Sequence, residues 1–500
     1  MELSSAKCNG ISQAKQAPYR PASLEDCLTY LRQCFDAFAE VCDDWRWRHR
    51  GYHLNLLRNY QYHVPPGATV LDVGCGTGDL LAGLQPSRGL GIDISPRMID
   101  RARSKYPQLD FRCAAAETFD KEEPFDYVIL SDLLVYSYDI LLLFKSLQRF
   151  CHSRTRLVIN IHSRLWQPAL KLAENVGLKY RQPSLNWVTT EDVVNLLALA
   201  GFETVQHYSN QLCPVRVPWL GYLLNRFVAP LVPFNWFCLV NWIIARLPLR
   251  PLQKSPVDVL EKPMVSIICP CRNEARNIPE IVRRLPVMGR SMELIFVEGH
   301  SHDNTYEACL AAISAHPDRD IFVYQQSGKG KKDAVWLGFS KAKGDVLMIL
   351  DADISVPPED LPAFYEAMAD GRAEFVNGSR LVYSMEGKAM QFLNLVGNKF
   401  FSKVFSFLVG QTIKDTLCGT KVLLRHDFKR ILANQAYFGN FDPFGDFDLI
   451  FGAARLGLKI RDLPIRYRQR SYGETKTSRF RHGWMLLKMC AMGLMRLKMR

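Results

Sequence analysis

The stretch LMILDADISVP, Leu347 to Pro357, runs four large apolar residues into Asp351 and Asp353 with one alanine between the acids. An ordinary strand ending in a turn would produce this pattern. Carboxylates at i and i+2 beyond a buried strand can also turn together toward one cation. A hard divalent metal takes oxygen ligands and leaves room for phosphate oxygens. A second stretch, VLDVGCGTGDL from Val70 to Leu80, sets Gly74, Gly76 and Gly78 in a turn after an apolar strand that carries Asp72. Glycines there let the backbone approach a ligand. A dinucleotide fingerprint would need a glycine at position 79, where Asp79 stands, so the spacing argues against a bound pyrophosphate. Asp93 ends the next apolar run, 21 residues beyond Asp72, and an acid in that place can take both ribose hydroxyls of an adenosine.

The elements that must carry these residues follow from periodicity. TVLDVG, LGIDIS, FDYVILSD and RLVINI between residues 68 and 210 alternate with helical stretches, and MVSIICP, MELIFVE, IFVYQ and DVLMILDAD repeat the scheme over 264–355. Both are βαβ patterns and predict two different α/β domains with largely parallel sheets. At 500 residues, 48% apolar and 23% charged, the chain is long enough for two cores and a linker. Its 14 cysteines show no paired CxxC clusters at zinc spacing, which suits a reducing compartment. The N-terminus has no apolar run of the secretory kind.

Between the two patterns lies an apolar segment with no acid from Glu203 to Asp258 and no charge at all from Phe227 to Ala245. Its length approaches a bilayer span, but Pro230, Pro233, Asn235 and Asn241 interrupt it. An interfacial or re-entrant hairpin flanked by Arg216, Arg226, Arg246 and Arg250 is the expectation, with a buried interdomain helix pair as the alternative.

The first half resembles the class I S-adenosylmethionine-dependent methyltransferases over residues 40–210. DVGCGTG matches the first motif, Asp93 the ribose acid, AAAETF with Glu117 the adenine contact, and FDYVILSD, ending in Asp132, the strand beside the methionine end. The resemblance implies a Rossmann-like sheet and a cofactor site of Asp72, Gly74, Gly76, Gly78, Asp93, Glu117 and Asp132. Tyr136, His152 and His162, expected with Asp132 at the cofactor end of the sheet, are candidates for a base or for plain structure. WRWRHRGYHLNLL, Trp45 to Leu57, could cap the cofactor with Tyr52 and His53, or simply pack.

The second half carries PCRNEARNI, FVEGHSHDNT and QQSGKGKKDA ahead of the acid pair. It resembles the family 2 glycosyltransferases with a GT-A, nucleotide-diphospho-sugar transferase fold, nearest the dolichyl-phosphate and bactoprenyl-phosphate sugar transferases. The resemblance implies that Pro270, Arg272, Glu274 and Glu298 line a nucleotide-sugar pocket and that Lys329 approaches the phosphates. Asp351 and Asp353 would be the DxD pair holding Mg²⁺ or Mn²⁺, with Asp351 nearer the nucleotide. Two departures stand out: VEGHS replaces the frequent VDDGS, and Lys332 stands where glycine is usual.

Beyond it come Arg380, DTLCGTK, FGDFDL with Asp446 and Asp448, and a run holding Arg466, Arg468, Arg470 and Lys476. A saccharide hydroxyl acceptor would need a base such as Asp446. A polyprenyl phosphate is already ionised and needs cations instead, which these residues supply, with Arg470 the catalytic candidate and Arg380, Arg466 and Lys476 binding phosphate. Net charge is +13, of which residues 461–500 contribute +9. No nucleic-acid-binding motif accompanies that charge. The C-terminal Arg481, Lys488 and Arg496 share one helical face, suited to an anionic membrane surface or to packing on the second domain.

The resulting expectation is a fused enzyme with an extension over 1–39, a methyltransferase domain over 40–210, an interfacial linker over 211–258, a GT-A domain over 259–484 and a basic amphipathic tail over 485–500. It would use S-adenosylmethionine, a nucleotide sugar and a polyprenyl phosphate or glycan acceptor at the cytoplasmic face of a membrane, held peripherally or monotopically. A runner-up glycosylates a saccharide hydroxyl, with the first domain a non-catalytic cofactor-binding regulator.

Overall fold

A computed structural model describes residues 21, 23–119, 123–183, 185–214, 219–248, 262–380, 392–434, 437, 445–465 and 479–499. The first sheet has the order β3-β2-β1-β4-β5-β7-β6. Its strands are β1 Thr69–Val73, β2 Arg88–Asp93, β3 Asp110–Cys113, β4 Phe125–Ser131, β5 Cys151–His162, β6 Glu203–Asn210 and β7 Val240–Arg246. All pair in parallel except β7, which runs antiparallel to both neighbours. The second sheet has the order β10-β9-β8-β11-β13-β12-β14. Its strands are β8 Val265–Cys271, β9 Met292–Glu298, β10 Asp320–Gln325, β11 Val346–Ile349, β12 Phe375–Ser379, β13 Lys421–Leu424 and β14 Ile460–Pro464. Here β13 is antiparallel to β11 and β12. All eight strands expected from periodicity are present, and both sheets are the expected α/β kind.

Leu347, Met348, Ile349 and Leu350 are fully buried. Each such side chain contributes about 1.5–3 kcal/mol on burial, which anchors the strand end where Asp351 and Asp353 emerge. The parallel strands β8, β9 and β11 end on the same edge as these acids. The same geometry brings the ends of β1, β2 and β4 together in the first sheet, where crossovers leave a crevice for ligands.

The apolar segment over 211–258 departs from expectation. Its second half is strand β7, inserted between β5 and β6, with Trp242, Ile243, Ile244 and Ala245 buried. A strand covered on both faces reads as a continuous apolar run, so hydropathy alone could not separate it from a membrane segment. The first sheet therefore extends to residue 246. Among its described residues the first half holds a short helix, Leu220–Leu223, continued by a π-helical turn, Leu224–Val228, and later a 3-10 turn, Phe234–Phe237. It exposes Trp219 (85%), Val232, Trp236 (67%) and Phe237. No helix among the described residues is long and apolar enough to cross a membrane.

Arg246, expected to reach lipid headgroups, is instead fully buried and paired with Glu203 at 3.2 Å and Glu374 at 3.3 Å. Arg156 of β5 reaches the same carboxylate at 2.7 Å and donates from Nε to the Gly457 carbonyl at 2.8 Å. Glu374 immediately precedes β12, so this buried triad ties the two sheets together. Burial alone would raise the Glu374 carboxyl, but the two guanidiniums outweigh it and hold the group below its ordinary range.

Of the expected extension over 1–39, residues 21 and 23–39 are described, and they pack as part of the first domain. Helix Leu24–Ala39 is capped by the Ser23 side chain and packs against helix Pro96–Lys105. The C-terminal helix Arg479–Gly493 buries Leu486, Met489 and Met492 on the second domain's core. Its outer face exposes Trp484, Leu487 and Lys488. Packing on that core is therefore the role of its inner face.

Candidate functional site

The ends of β1, β2 and β4 open onto a cavity of about 510 Å³, lined by Gly74, Gly76, Asp93, Glu117 and Asp132 of the expected cofactor residues. Gly76 and Gly78 both adopt positive φ, and a Cβ on Gly78 would stand 2.6 Å from the Phe111 ring. Gly78 thus shapes the turn without lining the cavity. Asp93 accepts hydrogen bonds from the Gly76 and Ser95 amides at 2.9 Å each, which fixes its carboxylate against the glycine turn. Burial raises its pKa, and those amides partly offset the rise. Burial likewise raises Glu117.

Asp72 lies behind the turn, 1% exposed, and neither carboxylate oxygen finds a hydrogen-bond partner among the described residues. Burial, then the neighbouring Asp93 charge, push it up to about 7, with Arg46 opposing. A buried acceptor without a donor is costly to keep. Asp72 does not itself line the cavity, so a ligand ammonium would draw on its charge from across the turn, while the Asp93 carboxylate, which lines it, suits a ribose diol. The residues present therefore fit an adenosine with an amino-acid tail.

The other end of the cavity carries a polar network. Asp132 sits just past β4 at φ +52, a strained conformation that recurs at functional sites. It accepts from the Tyr52 hydroxyl at 2.6 Å and from Asn160 Nδ2 at 2.6 Å. The Tyr52 hydroxyl also stands 3.0 Å from His162 Nε2, and Tyr60 donates to Asn160 at 2.7 Å. Burial and the Asp132 charge raise Tyr52 well above its usual value, so it stays a proton donor. His53 also lines the cavity, and burial lowers it to about 3, which keeps it neutral. Tyr136 lines the cavity and donates to Gln182 at 2.8 Å.

His152 is a correction. It begins β5, at the opposite sheet edge, 3.7 Å from Asp126. Parallel strands put the start of β5 beside the start of β4, far from where β4 ends. Sequence reasoning also missed Asn160 and the cavity wall from helix Leu24–Ala39. The wall was legible, since Leu24, Leu28, Leu31, Phe35 and Phe38 fall at helical spacing and all line the cavity.

In the second domain Pro270 is half-buried near the end of β8, and Arg272 and Glu274 follow in the loop. Glu274 accepts from Asn277 at 2.7 Å. Glu298, at the end of β9, accepts from the Ser301 amide at 2.5 Å and from Gln325 at 3.3 Å. Burial would raise it, but these bonds prevail and hold it below the usual range. Its carboxylate thus braces its own loop.

Asp351 and Asp353 leave the end of β11 as expected. Asp353 is 9% exposed and accepts from the Ser355 amide at 3.0 Å. Lys331 stands 2.7 Å from Asp351 and 3.9 Å from Asp446. A Cβ on Gly419 would overlap both the Asp351 carboxylate and the Lys331 ammonium, so the DTLCGTK loop presses directly on this pair. Lys329, the lysine expected at the phosphates, is exposed, while Lys331 opens helix Lys331–Lys341. Three lysines in four residues gave no means of choosing between them, because the turn's path decides which one faces inward. Lys332 reaches Asp448 at 2.6 Å, which gives the substituted glycine position a structural role.

Arg380 is held by Asp415 through both Nε (2.7 Å) and Nη2 (2.9 Å), a bidentate pair. Burial would raise Asp415, but Arg380 and Asn398 bring it down to about 2. Arg380 therefore holds the DTLCGTK loop in place. Arg466, Arg468, Arg470 and Lys476 lie outside the described residues.

Residues 266–432 match the family described as Glycosyl transferase family 2, and residues 45–207 match a family described as Methyltransferase domain. Among solved structures, a SAM-dependent methyltransferase of Thermotoga maritima, described as a possible histamine N-methyltransferase, is 20% identical with a TM-score of 0.35. That match covers 43% of this chain and 99% of the other. The magnesium protoporphyrin IX methyltransferase of Synechocystis with bound SAM is 17% identical with a TM-score of 0.32, covering 46% and 100%. Glucosyl-3-phosphoglycerate synthase of Mycobacterium tuberculosis is 19% identical with a TM-score of 0.35, covering 50% and 88%. The chain thus joins a methyltransferase domain to a family 2 glycosyltransferase domain in one polypeptide.

Proposed function

We propose that the first domain transfers a methyl group from S-adenosylmethionine to an oxygen or nitrogen nucleophile. The second, in this reading, transfers a sugar from a nucleotide sugar to a polyprenyl phosphate at a membrane surface, with inversion at the anomeric carbon. In the first domain Asp72 would meet the cofactor's ammonium, Asp93 its ribose and Glu117 its adenine. The network of Asp132, Tyr52 and His162 would orient the acceptor and receive its proton. Methyl transfer is an in-line displacement in which positioning supplies much of the rate.

In the second domain Asp353 and Asp351 would hold a divalent cation shared with the donor diphosphate. Two carboxylates at a strand end fit a hard metal, which would neutralise charge on the leaving nucleotide. Lys331 is placed to steady Asp351, and Arg272 and Glu274 lie on the loop where the nucleotide would rest.

The observation that carries the lipid reading is the exposed apolar surface of residues 219–237, where Trp219, Trp236 and Phe237 face outward beside Arg226, whose guanidinium lies 5.6 Å from the Tyr222 ring. Soluble proteins rarely expose so many large apolar residues together, and tryptophan and arginine suit the headgroup level. The test is incubation with labelled nucleotide sugars and polyprenyl phosphate, with and without S-adenosylmethionine, followed by mass spectrometry of the lipid fraction. A gain of one hexose on the lipid is expected, and turnover retained in Asp353→Ala would refute the assignment.

Asp446 supports the second reading, a saccharide hydroxyl acceptor, because it is 7% exposed and stands near Lys331 where a base would be needed. That reading requires activity on water-soluble acceptors and its loss in Asp446→Asn. In that case the first domain could serve as a cofactor-binding regulator without transferring a methyl group.

A further inference from the structure

Between the two sheets lies a second cavity, of about 380 Å³, which neither catalytic reading uses. Helix Arg50–His63, the end of β6, the segment 219–237, the helix end at Ser406 and Phe407, and Lys498 all contribute to its wall. We propose that it is a binding site for a saccharide that carries an anionic group. The proposal rests on the lining and is independent of the catalytic assignments above.

Asn55, Asn59, Asn210, Gln211, Asn235 and Gln411 contribute to the wall of this cavity, alongside several hydroxyl-bearing residues. The lining holds no carboxylate and one ammonium, Lys498. An organic cation would find no counter-charge there, and an apolar ligand would strip water from amides without replacing its hydrogen bonds. A sugar hydroxyl both donates and accepts, as does a side-chain amide, so a polyhydroxylated ligand matches the set. The volume falls in the range of small-molecule sites.

Several of these amides are already held by the protein. Asn210 accepts from Trp242 Nε1 at 3.1 Å, Gln211 accepts from Asn55 Nδ2 at 3.3 Å, and Gln411 bridges the Leu458 carbonyl at 2.7 Å and the Ile460 amide at 3.0 Å. These bonds fix the amide planes, Gln411 at both of its ends, and each amide keeps a further hydrogen or lone pair that they do not use. Asn235, in the wall, has an Oδ1 that is buried with no hydrogen-bond partner among the described residues. Tyr208, stacked on Trp242, and Phe407 supply aromatic faces for the C–H side of a sugar ring. Lys498 Nζ lies 5.1 Å from the Phe407 ring and 6.0 Å from the Tyr208 ring, which puts a positive charge in the same wall for a phosphate on the ligand.

The segment 219–237 is two-sided. Asn225 and Asn235 line the cavity, while Trp219, Trp236 and Phe237 face outward. The same saccharide chemistry could therefore arrive as a free sugar phosphate or as the headgroup of a lipid, and the test separates the two. Saturation-transfer NMR on the full chain would use methyl glycosides of glucose, mannose, galactose and N-acetylglucosamine, together with glucose 1-phosphate. A parallel arm measures binding to vesicles carrying a polyprenyl-phosphate-linked hexose against vesicles of the same lipids without it. Asn235→Leu removes the unpaired acceptor, and Thr412→Trp at the exposed rim fills the cavity.

Binding in at least one arm, weakened about tenfold or more by both substitutions at unchanged melting temperature, is the expected result. Lys498→Met should weaken glucose 1-phosphate and spare the methyl glycosides. Binding confined to the vesicle arm identifies a lipid-borne headgroup, and binding in the soluble arm a free saccharide. No binding in either arm, or binding indifferent to both substitutions, overturns the proposal.

Discussion

The Tyr52 hydroxyl donates to Asp132 at 2.6 Å, which brings a helix from before the first strand into contact with the residue just past β4. Asp132 thus has two donors holding its two oxygens, Tyr52 and Asn160. A carboxylate fixed in this way is a base with a set direction, and general-base catalysis contributes about 10²–10⁴-fold. Asp132→Asn should cost methyl transfer on that order. Tyr52→Phe, which loosens the carboxylate without removing it, should cost less and leave cofactor affinity unchanged. Calorimetric binding of S-adenosylhomocysteine alongside single-turnover methyl transfer separates these effects. A Tyr52→Phe enzyme with wild-type turnover would remove the network from the mechanism.

Asp72 supplies a pH dependence. Its folded pKa is raised from the ordinary 3.8 to about 7 by burial and Asp93. Below pH 7 the carboxyl is neutral and attracts an ammonium less, so cofactor affinity should fall between pH 8 and pH 6. Stability runs the other way. Between pH 3.8 and 7 the folded state holds a proton that the unfolded state has released, so stability declines as pH rises through this window. Asp72→Asn should flatten both profiles, raise the melting temperature at pH 8 and weaken cofactor binding there. Calorimetry and thermal melting at three pH values check the two signs together, and profiles unchanged in the Asn variant would dismiss the assignment.

Lys331 and Lys329 can be told apart by activity. Burial disfavours the Lys331 ammonium, but Asp351 and Asp446 outweigh that and keep it charged. Lys331→Met would leave Asp351 without this cation, and sugar transfer should fall about 10²-fold, in the range of a lost electrostatic stabiliser. Lys329→Met, on the exposed side of the turn, should stay near wild type. Rates measured with donor concentration varied check the contrast, and the reverse order would restore Lys329 as the phosphate contact.

Both sheets and their ligand edges were legible because strand periodicity and glycine-rich turns are local signals. What stayed hidden depends on contacts far apart in sequence. Trp242 and Ile243 read as membrane-like because a strand covered on both faces has no polar face to alternate. Lys331 could not be separated from Lys329 by composition, since helix phase and the approach of Gly419 decide which ammonium meets Asp351. Arg380 carried the right charge for a phosphate, but Asp415, 35 positions away, holds it in a bidentate pair. His152 fell on the expected strand at the wrong end, because only the β4–β5 register shows which edge it faces.

Glu374 gives the last prediction. Its carboxylate meets Arg156 at 2.7 Å and Arg246 at 3.3 Å and accepts from the Lys459 amide at 2.9 Å, all buried between the sheets. Glu374→Gln would leave two buried guanidiniums facing a neutral amide, and removing one partner of a buried charge group costs about 3–5 kcal/mol. Urea denaturation followed by tryptophan fluorescence should show a correspondingly lower midpoint at pH 7. Because the folded pKa is depressed below the ordinary 4.5, the wild-type contribution is complete above that pH and is lost as pH falls through the folded value. The difference between wild type and Glu374→Gln should therefore narrow in acid. A Gln variant with a wild-type midpoint at pH 7 would mean that the Glu374 charge does not help to join the two sheets.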